Sequence, residues 1–131
     1  MTSKFEYEQI GEEIAHAAFE VHSELGPGLL ESVYETCLFE ELSSQNLKVE
    51  RQVMLPVIFK GKVLDKQFCI DLLVENSVII ELKAVESLLP VHKVQLVTYM
   101  KLAGMKLGYL INFNVPLIKQ GIKRKVNNYF N

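Results

Sequence analysis

Two nearly continuous apolar runs, separated by three residues, constrain the fold of this chain more than any other feature. The runs cover residues 68–74 and 78–83, and Glu75-Asn76-Ser77 lies between them. Short apolar runs bounded by turn-forming residues predict a β-hairpin. With a three-residue loop centred on Asn76, directly opposed residues are those equally distant from Asn76 along the chain, so that Asp71 faces Glu81 and Cys69 faces Lys83.

This register separates the hairpin into an apolar face and a polar face. The polar face carries Asp71, Glu81 and Lys83, with Leu73 and Ile79 nearer the turn. A slip of one residue would mix the two faces, so the register is well specified. We therefore expect the apolar face to lie on the core, with Ile70, Leu72, Val74, Val78, Ile80 and Leu82 as its members.

The polar face of the hairpin has the composition of a metal-dependent hydrolytic site. Directly opposed residues have Cβ atoms about 4.5–5.5 Å apart, and two carboxylates at that separation repel unless a cation lies between them. A hard cation such as Mg²⁺ or Mn²⁺ would bind Asp71 and Glu81 through oxygen, and the Lys83 ammonium would reach a group bound there. The same three residues could also form an ordinary surface ion-pair cluster, although they interrupt nearly continuous apolar strands.

Hydrophobic periodicity divides the rest of the chain into helices and strands. Helical spacing predicts helices over residues 10–25, 30–42 and 91–103, the first ending at Gly26-Pro27-Gly28. Alternation predicts strands over 47–57 and 107–113, a turn at Lys60-Gly61-Lys62 and a short return strand beginning at Val63-Leu64. The resulting order, ααβββ(β)αβ, predicts one α/β domain over residues 1–131 with a mixed sheet.

Several classes of protein are excluded by what the sequence lacks. No apolar run approaches the roughly 20 residues of a membrane-spanning helix, and the chain starts without an apolar signal region. Cys37 and Cys69 have no CxxC or CxxH spacing, which argues against a disulfide or zinc framework. We therefore expect a cytoplasmic protein with reduced cysteines and no membrane partner.

Charge is distributed unequally along the chain. Residues 1–50 contain 2 basic and 11 acidic residues, whereas residues 51–131 contain 12 basic and 5 acidic residues. The densest basic stretch is 119–125, which includes Lys123 and Arg124. This stretch is either a solvated charged tail or a phosphate-contacting surface.

Several motifs together resemble a known family. Gly28, Glu31 and Tyr34 have the Gly-x-x-Glu-x-x-Tyr spacing that names the GxxExxY proteins, which are placed in the PD-(D/E)xK nuclease superfamily. The resemblance extends over roughly residues 8–125 and includes the runs 25–35, 71–75, 81–84, 90–92 and 110–113. The proline of the superfamily name is absent, because Ile70 precedes Asp71.

The resemblance implies a restriction-endonuclease-like core, in which helices flank a central mixed sheet and the site lies on the hairpin strands. It implies that Asp71 and Glu81 bind Mg²⁺ or Mn²⁺, that Lys83 is the catalytic lysine, and that Glu31 is an additional acidic catalytic and metal-binding residue. The alternative for Glu31 is a helix N-terminal glutamate favoured by the helix dipole. Gly28 would serve the sharp turn, and Tyr34 would share a helix face with Glu31.

The third predicted helix carries a second motif. Gln95-Leu-Val-Thr-Tyr99 resembles the Gln-xxx-Tyr motif of RecB-type nucleases, in which these residues contact DNA beside the active site. His92 lies three residues before Gln95, so all three side chains share one helix face. The alternative is a polar stripe that packs on the sheet edge.

These observations support three functions of different classes. The first is a Mg²⁺- or Mn²⁺-dependent nuclease acting on DNA, with Lys123 and Arg124 attracting phosphates. The second is a nucleic-acid-binding or assembly subunit that retains the fold and has weak activity. The third is a protein that binds a metal or small anion. With a single domain, sequence-specific cleavage would need a homodimer or a larger complex.

Overall fold

The structure is a computed structural model that describes residues 2–130, so the two ends of the predicted domain, Met1 and Asn131, lie outside the described residues. The predicted helices and strands are present with adjusted bounds. The elements in chain order are α1 (Lys4–Leu25), α2 (Glu31–Ser43), β1 (Val49–Phe59), β2 (Lys62–Val74), β3 (Val78–Lys83), α3 (Pro90–Ala103), β4 (Leu107–Asn112), α4 (Ile118–Gly121) and β5 (Ile122–Val126).

The five strands form one mixed sheet in the order β1-β2-β3-β4-β5. Only β3 and β4 are parallel, because α3 connects them as a crossover, and the other neighbours are antiparallel. Within residues 2–130, no helix has the length and hydrophobicity that a membrane crossing requires. The expected α/β fold, a central mixed sheet flanked by helices, is confirmed.

Two apolar clusters cover the two faces of the sheet. The first joins α1 and α2 to the sheet through residues such as Ile14, Leu38 and Ile80, all with no exposed surface. The second joins α3 to the other face, where Leu96 packs with Ile79. The helices therefore lie on opposite faces and leave the ends of β2 and β3 available for a site.

The predicted short return strand at Val63-Leu64 is wrong as a separate element. It is the beginning of β2, which runs without interruption to the predicted hairpin. Phe59 pairs with Lys62 across a two-residue loop in which both residues have positive φ, the conformation that suits the twist of a hairpin. At the other end of the chain, α4 and β5 form where the sequence indicated only a basic stretch.

The predicted hairpin register is confirmed in the part nearest the turn. Leu72 pairs with Ile80, and Val74 pairs with Val78. The predicted apolar face is wrong at Ile70, which belongs to the second cluster while Leu72 belongs to the first. The pairing of β2 with β3 ends at Leu72 and Ile80. On the other side of β2, Gln52 of β1 has a φ of 49°, which is not a strand conformation. We attribute the change of face between Leu72 and Ile70 to this local break in strand geometry.

Gly121 is the glycine with the closest backbone neighbour. A Cβ atom added at this position would overlap the main-chain oxygen of Asn112. Because a backbone atom cannot move aside as a side chain can, we expect Gly121→Ala to lower the free energy of unfolding by about 3 kcal/mol. Chemical denaturation measures this change. Lys119→Ala, on an exposed position of α4, is the control and should change stability by less than about 0.5 kcal/mol; equal effects would contradict the packing argument.

Candidate active site

The predicted site forms where β2 and β3 separate. The Oδ2 atom of Asp71 accepts a hydrogen bond from the Leu82 main-chain N–H at 2.9 Å. This bond replaces a strand-to-strand contact with a side-chain contact, since the ladder between the two strands ends at Leu72 and Ile80. It holds the Asp71 carboxylate between Glu81 and Lys83 along the chain of β3.

Glu81 is the most unusual residue of the site. Its side chain is buried, with 7% of the residue exposed, and Oε1 has no hydrogen-bond partner among the described residues. Burial, followed by the neighbouring Asp71 carboxylate, raises the pKa of Glu81 to about 10, whereas the Lys83 ammonium lowers it. A buried acid that is neutral at pH 7 and has an unpaired oxygen is poorly satisfied by the protein alone.

These residues fit a hard divalent cation. Within residues 2–130, no group of three or more His, Cys, Asp or Glu side chains is arranged to hold a metal ion. Mg²⁺, however, is commonly bound through one or two carboxylates and retains several waters. Asp71 and Glu81 provide such a pair, and a cation would give the unpaired Oε1 atom of Glu81 a partner.

Glu31 and Lys83 lie close to this pair. Burial raises the pKa of Glu31, and the charges of Asp71 and Glu35 raise it further, whereas Lys83 lowers it. Glu31, at the first position of α2, lies one helical turn before Glu35, whose carboxylate is joined to Asp71 through the Gln52 amide. The four predicted catalytic residues, contributed by α2, β2 and β3, therefore lie in one region of the molecule.

The glycine and tyrosine of the motif shape the loop before Glu31. Gly28 has a φ of 101°, which favours glycine. Tyr34 is completely buried; its hydroxyl donates to the Gly26 carbonyl at 2.6 Å and accepts from the Leu29 N–H at 3.1 Å. The Tyr34 ring also stacks on Phe113, with 4.7 Å between ring centroids. The motif thus fixes the chain that leads into Glu31.

Removing the Tyr34 hydroxyl should loosen this loop. Tyr34→Phe leaves the Gly26 carbonyl and the Leu29 N–H without their partner, so we expect the free energy of unfolding to fall by about 1–3 kcal/mol. Thermal or urea denaturation measures the loss. Tyr129→Phe removes an exposed hydroxyl bonded to Glu8 and should cost less than about 1 kcal/mol. A smaller loss at Tyr34 than at Tyr129 would contradict this role.

The three residues of the α3 motif differ in their surroundings. The Tyr99 ring packs on Phe68, with 4.9 Å between centroids. Burial raises the pKa of Tyr99, and the carboxylates of Glu81 and Asp71 raise it further, which places its hydroxyl near the site. His92 accepts a hydrogen bond from the Leu89 N–H at 3.0 Å and so caps α3. Gln95 is exposed one turn before Tyr99.

The two predicted basic residues of β5 lie on different faces. Lys123 pairs with Leu110, which in turn pairs with Glu81, so the three residues form a row on one face of the sheet. Two strand spacings separate Lys123 from Glu81, or about 10 Å. Arg124 instead forms an ion pair with Glu8 at 3.3 Å and lies over the Tyr129 ring, on the α1 side.

Sequence reasoning missed a polar network beside Asp71. The Gln52 side-chain amide donates to Glu35 Oε1 at 2.5 Å and to Asp71 Oδ1 at 3.4 Å, and its oxygen accepts from the Cys69 thiol at 3.1 Å. Burial raises the pKa of that thiol, as do the nearby carboxylates, led by Asp71. The polar residue at position 52 of a predicted strand is too ordinary a signal to indicate this role.

Asn112 is a second residue that sequence reasoning left without a role. It is 2% exposed; its Nδ2 donates to the Val85 carbonyl at 2.9 Å, and its Oδ1 accepts from the Val85 N–H at 3.1 Å and the Asn114 N–H at 3.2 Å. These bonds hold the chain that leaves β3 directly after Lys83. A polar residue at the end of an otherwise apolar strand was the available signal.

Comparison with known proteins identifies the family. A family model described as the PD-(D/E)XK nuclease superfamily matches residues 8–125. The chain belongs to this superfamily. The match covers β2, β3, α2 and α3 completely and α1 from residue 8 onwards.

A solved structure supports the fold. The chain is similar to the crystal structure of a protein designated SSO0001, with a TM-score of 0.51 and 22% sequence identity. The similarity covers 98% of this chain and 63% of that protein, so this chain spans less than two thirds of its length. No curated protein is a significant match. At this identity, the likeness concerns the fold alone.

Proposed function

We propose that this protein is a Mg²⁺- or Mn²⁺-dependent nuclease that hydrolyses phosphodiester bonds in DNA. One observation carries the proposal: the buried Glu81 carboxyl, with its unpaired oxygen, lies beside Asp71 and within the influence of Lys83. Membership of a nuclease superfamily suggests the reaction, and the carboxylate pair suggests the metal. Gly28, Glu31 and Tyr34 support assignment of the chain to the GxxExxY group. We also propose that the chain forms a single domain.

In this mechanism, Asp71 and Glu81 would hold the cation, with Glu31 as an additional acidic residue. The bound cation would activate water and neutralise charge that develops on the phosphate. Lys83 orients the attacking water or donates to a non-bridging phosphate oxygen, and its positive charge favours the transition state. The Leu82 N–H keeps the Asp71 carboxylate oriented throughout.

DNA would reach the site from the α3 face. The charges of Glu81 and Asp71 act on Tyr99, and Gln95 is exposed one helical turn before it. Both residues would contact the DNA strand. Lys123 lies on the same face as Glu81 and would attract phosphates. His92 and Arg124 have structural partners in Leu89 and Glu8, so we assign any DNA contact by them a lesser role than that of Lys123.

A cleavage assay tests the proposal. Wild-type protein and Asp71→Ala are incubated with labelled single- and double-stranded DNA in Mn²⁺, Mg²⁺ or EDTA. We expect metal-dependent cleavage by the wild type and none by the variant, because Asp71→Ala removes half of the carboxylate pair. Cleavage in EDTA, or equal cleavage by both proteins, would contradict the metal-dependent mechanism.

One observation favours a second function, a nucleic-acid-binding or assembly subunit with weak activity. Among residues 2–130 no group of three or more His, Cys, Asp or Glu side chains is arranged to hold a metal, so a cation at Asp71 and Glu81 would keep most of its ligands as water, an arrangement that also suits weak activity. If that function is correct, salt-dependent DNA binding will be unaffected by Asp71→Ala and no cleavage will be seen. A homodimer or a larger complex would then be the functional unit.

A further inference from the structure

The outer part of the β1–β2 hairpin, residues 56–67, extends beyond the packed core. We call this segment the arm. All of its residues are exposed except Val57 and Leu64, which are partly buried. Its apolar side chains include Ile58, 45% exposed, Phe59, 60% exposed, and Val63, 63% exposed. Clustered exposed apolar groups of this kind are typical of a binding surface.

The charge of the arm indicates what binds it. It contains Lys60, Lys62 and Lys66 but only one acidic residue, Asp65. A partner protein bound through apolar contacts would not require this excess of positive charge. A polyanion would require it, because each lysine that contacts a phosphate releases a condensed counterion.

The tip of the arm combines an aromatic ring with two ammonium groups. Phe59 is directly opposite Lys62 in the strand pairing, so their side chains share one face. The Lys60 ammonium lies 5.5 Å from the centre of the Phe59 ring. An exposed ring flanked by cations is the combination that binds single-stranded nucleic acid, since bases stack on the ring and phosphates pair with the cations.

The base of the arm adjoins the site. Phe68, the first residue after the arm, lies three residues before Asp71 on β2 and packs on Tyr99 of α3. Asp71 is on the same strand as Lys62, nine residues further along, which limits their separation to about 30 Å. A nucleic acid bound in the site could therefore also reach the tip.

We propose that the arm binds the single-stranded nucleic acid that enters the cleavage site, with phosphates at Lys60 and Lys62 and a base stacked on Phe59. This inference rests on the proposed function, because it names the surface that holds the substrate of that site. It is nevertheless testable without cleavage, since binding through the arm requires no metal.

The test measures DNA affinity in EDTA by fluorescence anisotropy over a range of salt concentrations. In Lys60→Ala/Lys62→Ala, we expect weaker binding of single-stranded DNA and a salt dependence whose logarithmic slope is shallower by about 1.4, because each lost phosphate contact contributes about 0.7 on a single strand. In Phe59→Ala, we expect single-stranded DNA to bind roughly 5- to 150-fold more weakly, with a smaller effect on duplex DNA.

The control removes two lysines far from the arm and the site. Lys4→Ala/Lys48→Ala is suitable because α1 starts beside the β2–β3 turn, where Thr2 contacts Ser77, at the opposite end of β3 from Lys83. Lys48 is exposed directly before β1, beside Glu75 of the same turn, and β1 runs from there to the arm. Thermal denaturation of each variant establishes that the fold is retained.

The outcomes separate this inference from the proposed nuclease function. Equal affinity for the arm and control variants, or no DNA binding by the wild type, overturns the role of the arm even if the protein cleaves DNA. Arm-dependent binding without cleavage supports the arm and overturns the nuclease. A change in oligomeric state by sedimentation, with affinity equal to that of the control, identifies a second copy as the occupant and also overturns the inference.

Discussion

Lys83→Ala should abolish DNA cleavage while metal binding persists. Lys83 lies near Glu31 and Glu81 but is not one of the residues that would hold the cation. Loss of a charge-stabilising donor at a reacting phosphate typically costs at least about a hundredfold in rate. Single-turnover cleavage measures the rate, and titration calorimetry with Mn²⁺ measures metal affinity, which should stay within a fewfold of wild type.

Two further variants make this result specific. Asp71→Asn should lose both cleavage and metal binding, because it removes a charged ligand and weakens the bond to the Leu82 N–H. Lys101→Ala, on the exposed last turn of α3, should retain both. Normal cleavage by Lys83→Ala would show that the assigned mechanism is wrong.

Glu81→Gln should stabilise the metal-free protein at alkaline pH. The pKa of Glu81 is about 10 in the folded chain, whereas an ordinary glutamate, as in the unfolded chain, has a pKa of 4.5. Between these pH values the folded chain keeps a proton on Glu81 that the unfolded chain releases. The wild-type free energy of unfolding therefore falls by up to about 1.4 kcal/mol per pH unit between these values. At pH 8 the neutral glutamine avoids this loss, and we expect a gain of several kcal/mol.

Denaturation in EDTA from pH 5 to pH 9 measures this effect. The stabilising effect of Glu81→Gln should be small at pH 5 and should increase with pH, because only the wild-type unfolded chain ionises at this position. Glu86→Gln, an exposed glutamate beyond β3, is the control and should follow the wild type. Identical pH dependence of stability in Glu81→Gln and wild type would contradict the burial of an uncharged Glu81.

Because burying an ionised Glu81 is unfavourable, we expect metal binding to stabilise the protein in a pH-dependent way. Mg²⁺ or Mn²⁺ should raise the unfolding temperature of the wild type more at pH 8 than at pH 5, because the cation offsets the cost of the ionised carboxylate. Glu81→Gln should gain less from the same metal. This effect follows from the same unpaired oxygen and needs no catalytic readout.

Much of the fold is determined by local pattern. Apolar spacing located α1, α2 and α3, and Gly26 and Gly104 end two of them with positive φ, as expected. The hairpin register near the turn is also determined locally. Alternate residues of β2 and β3 there belong to the two apolar clusters, so a slip of one residue would move each side chain to the opposite face of the sheet. The same register predicts from residue spacing alone that Asp71 and Glu81 lie near each other.

Other features depend on where the strands bend and what packs against them. The positive φ of Gln52, its bonds to Glu35 and Asp71, and the partnerless oxygen of Glu81 arise only when α2, α3 and three strands surround one point. Sequence periodicity reports which face of an element is apolar, but carries no information on where two paired strands separate. Residue type and spacing therefore determined the sheet and its acidic pair, whereas tertiary packing decided which carboxyl is desolvated and what surrounds it.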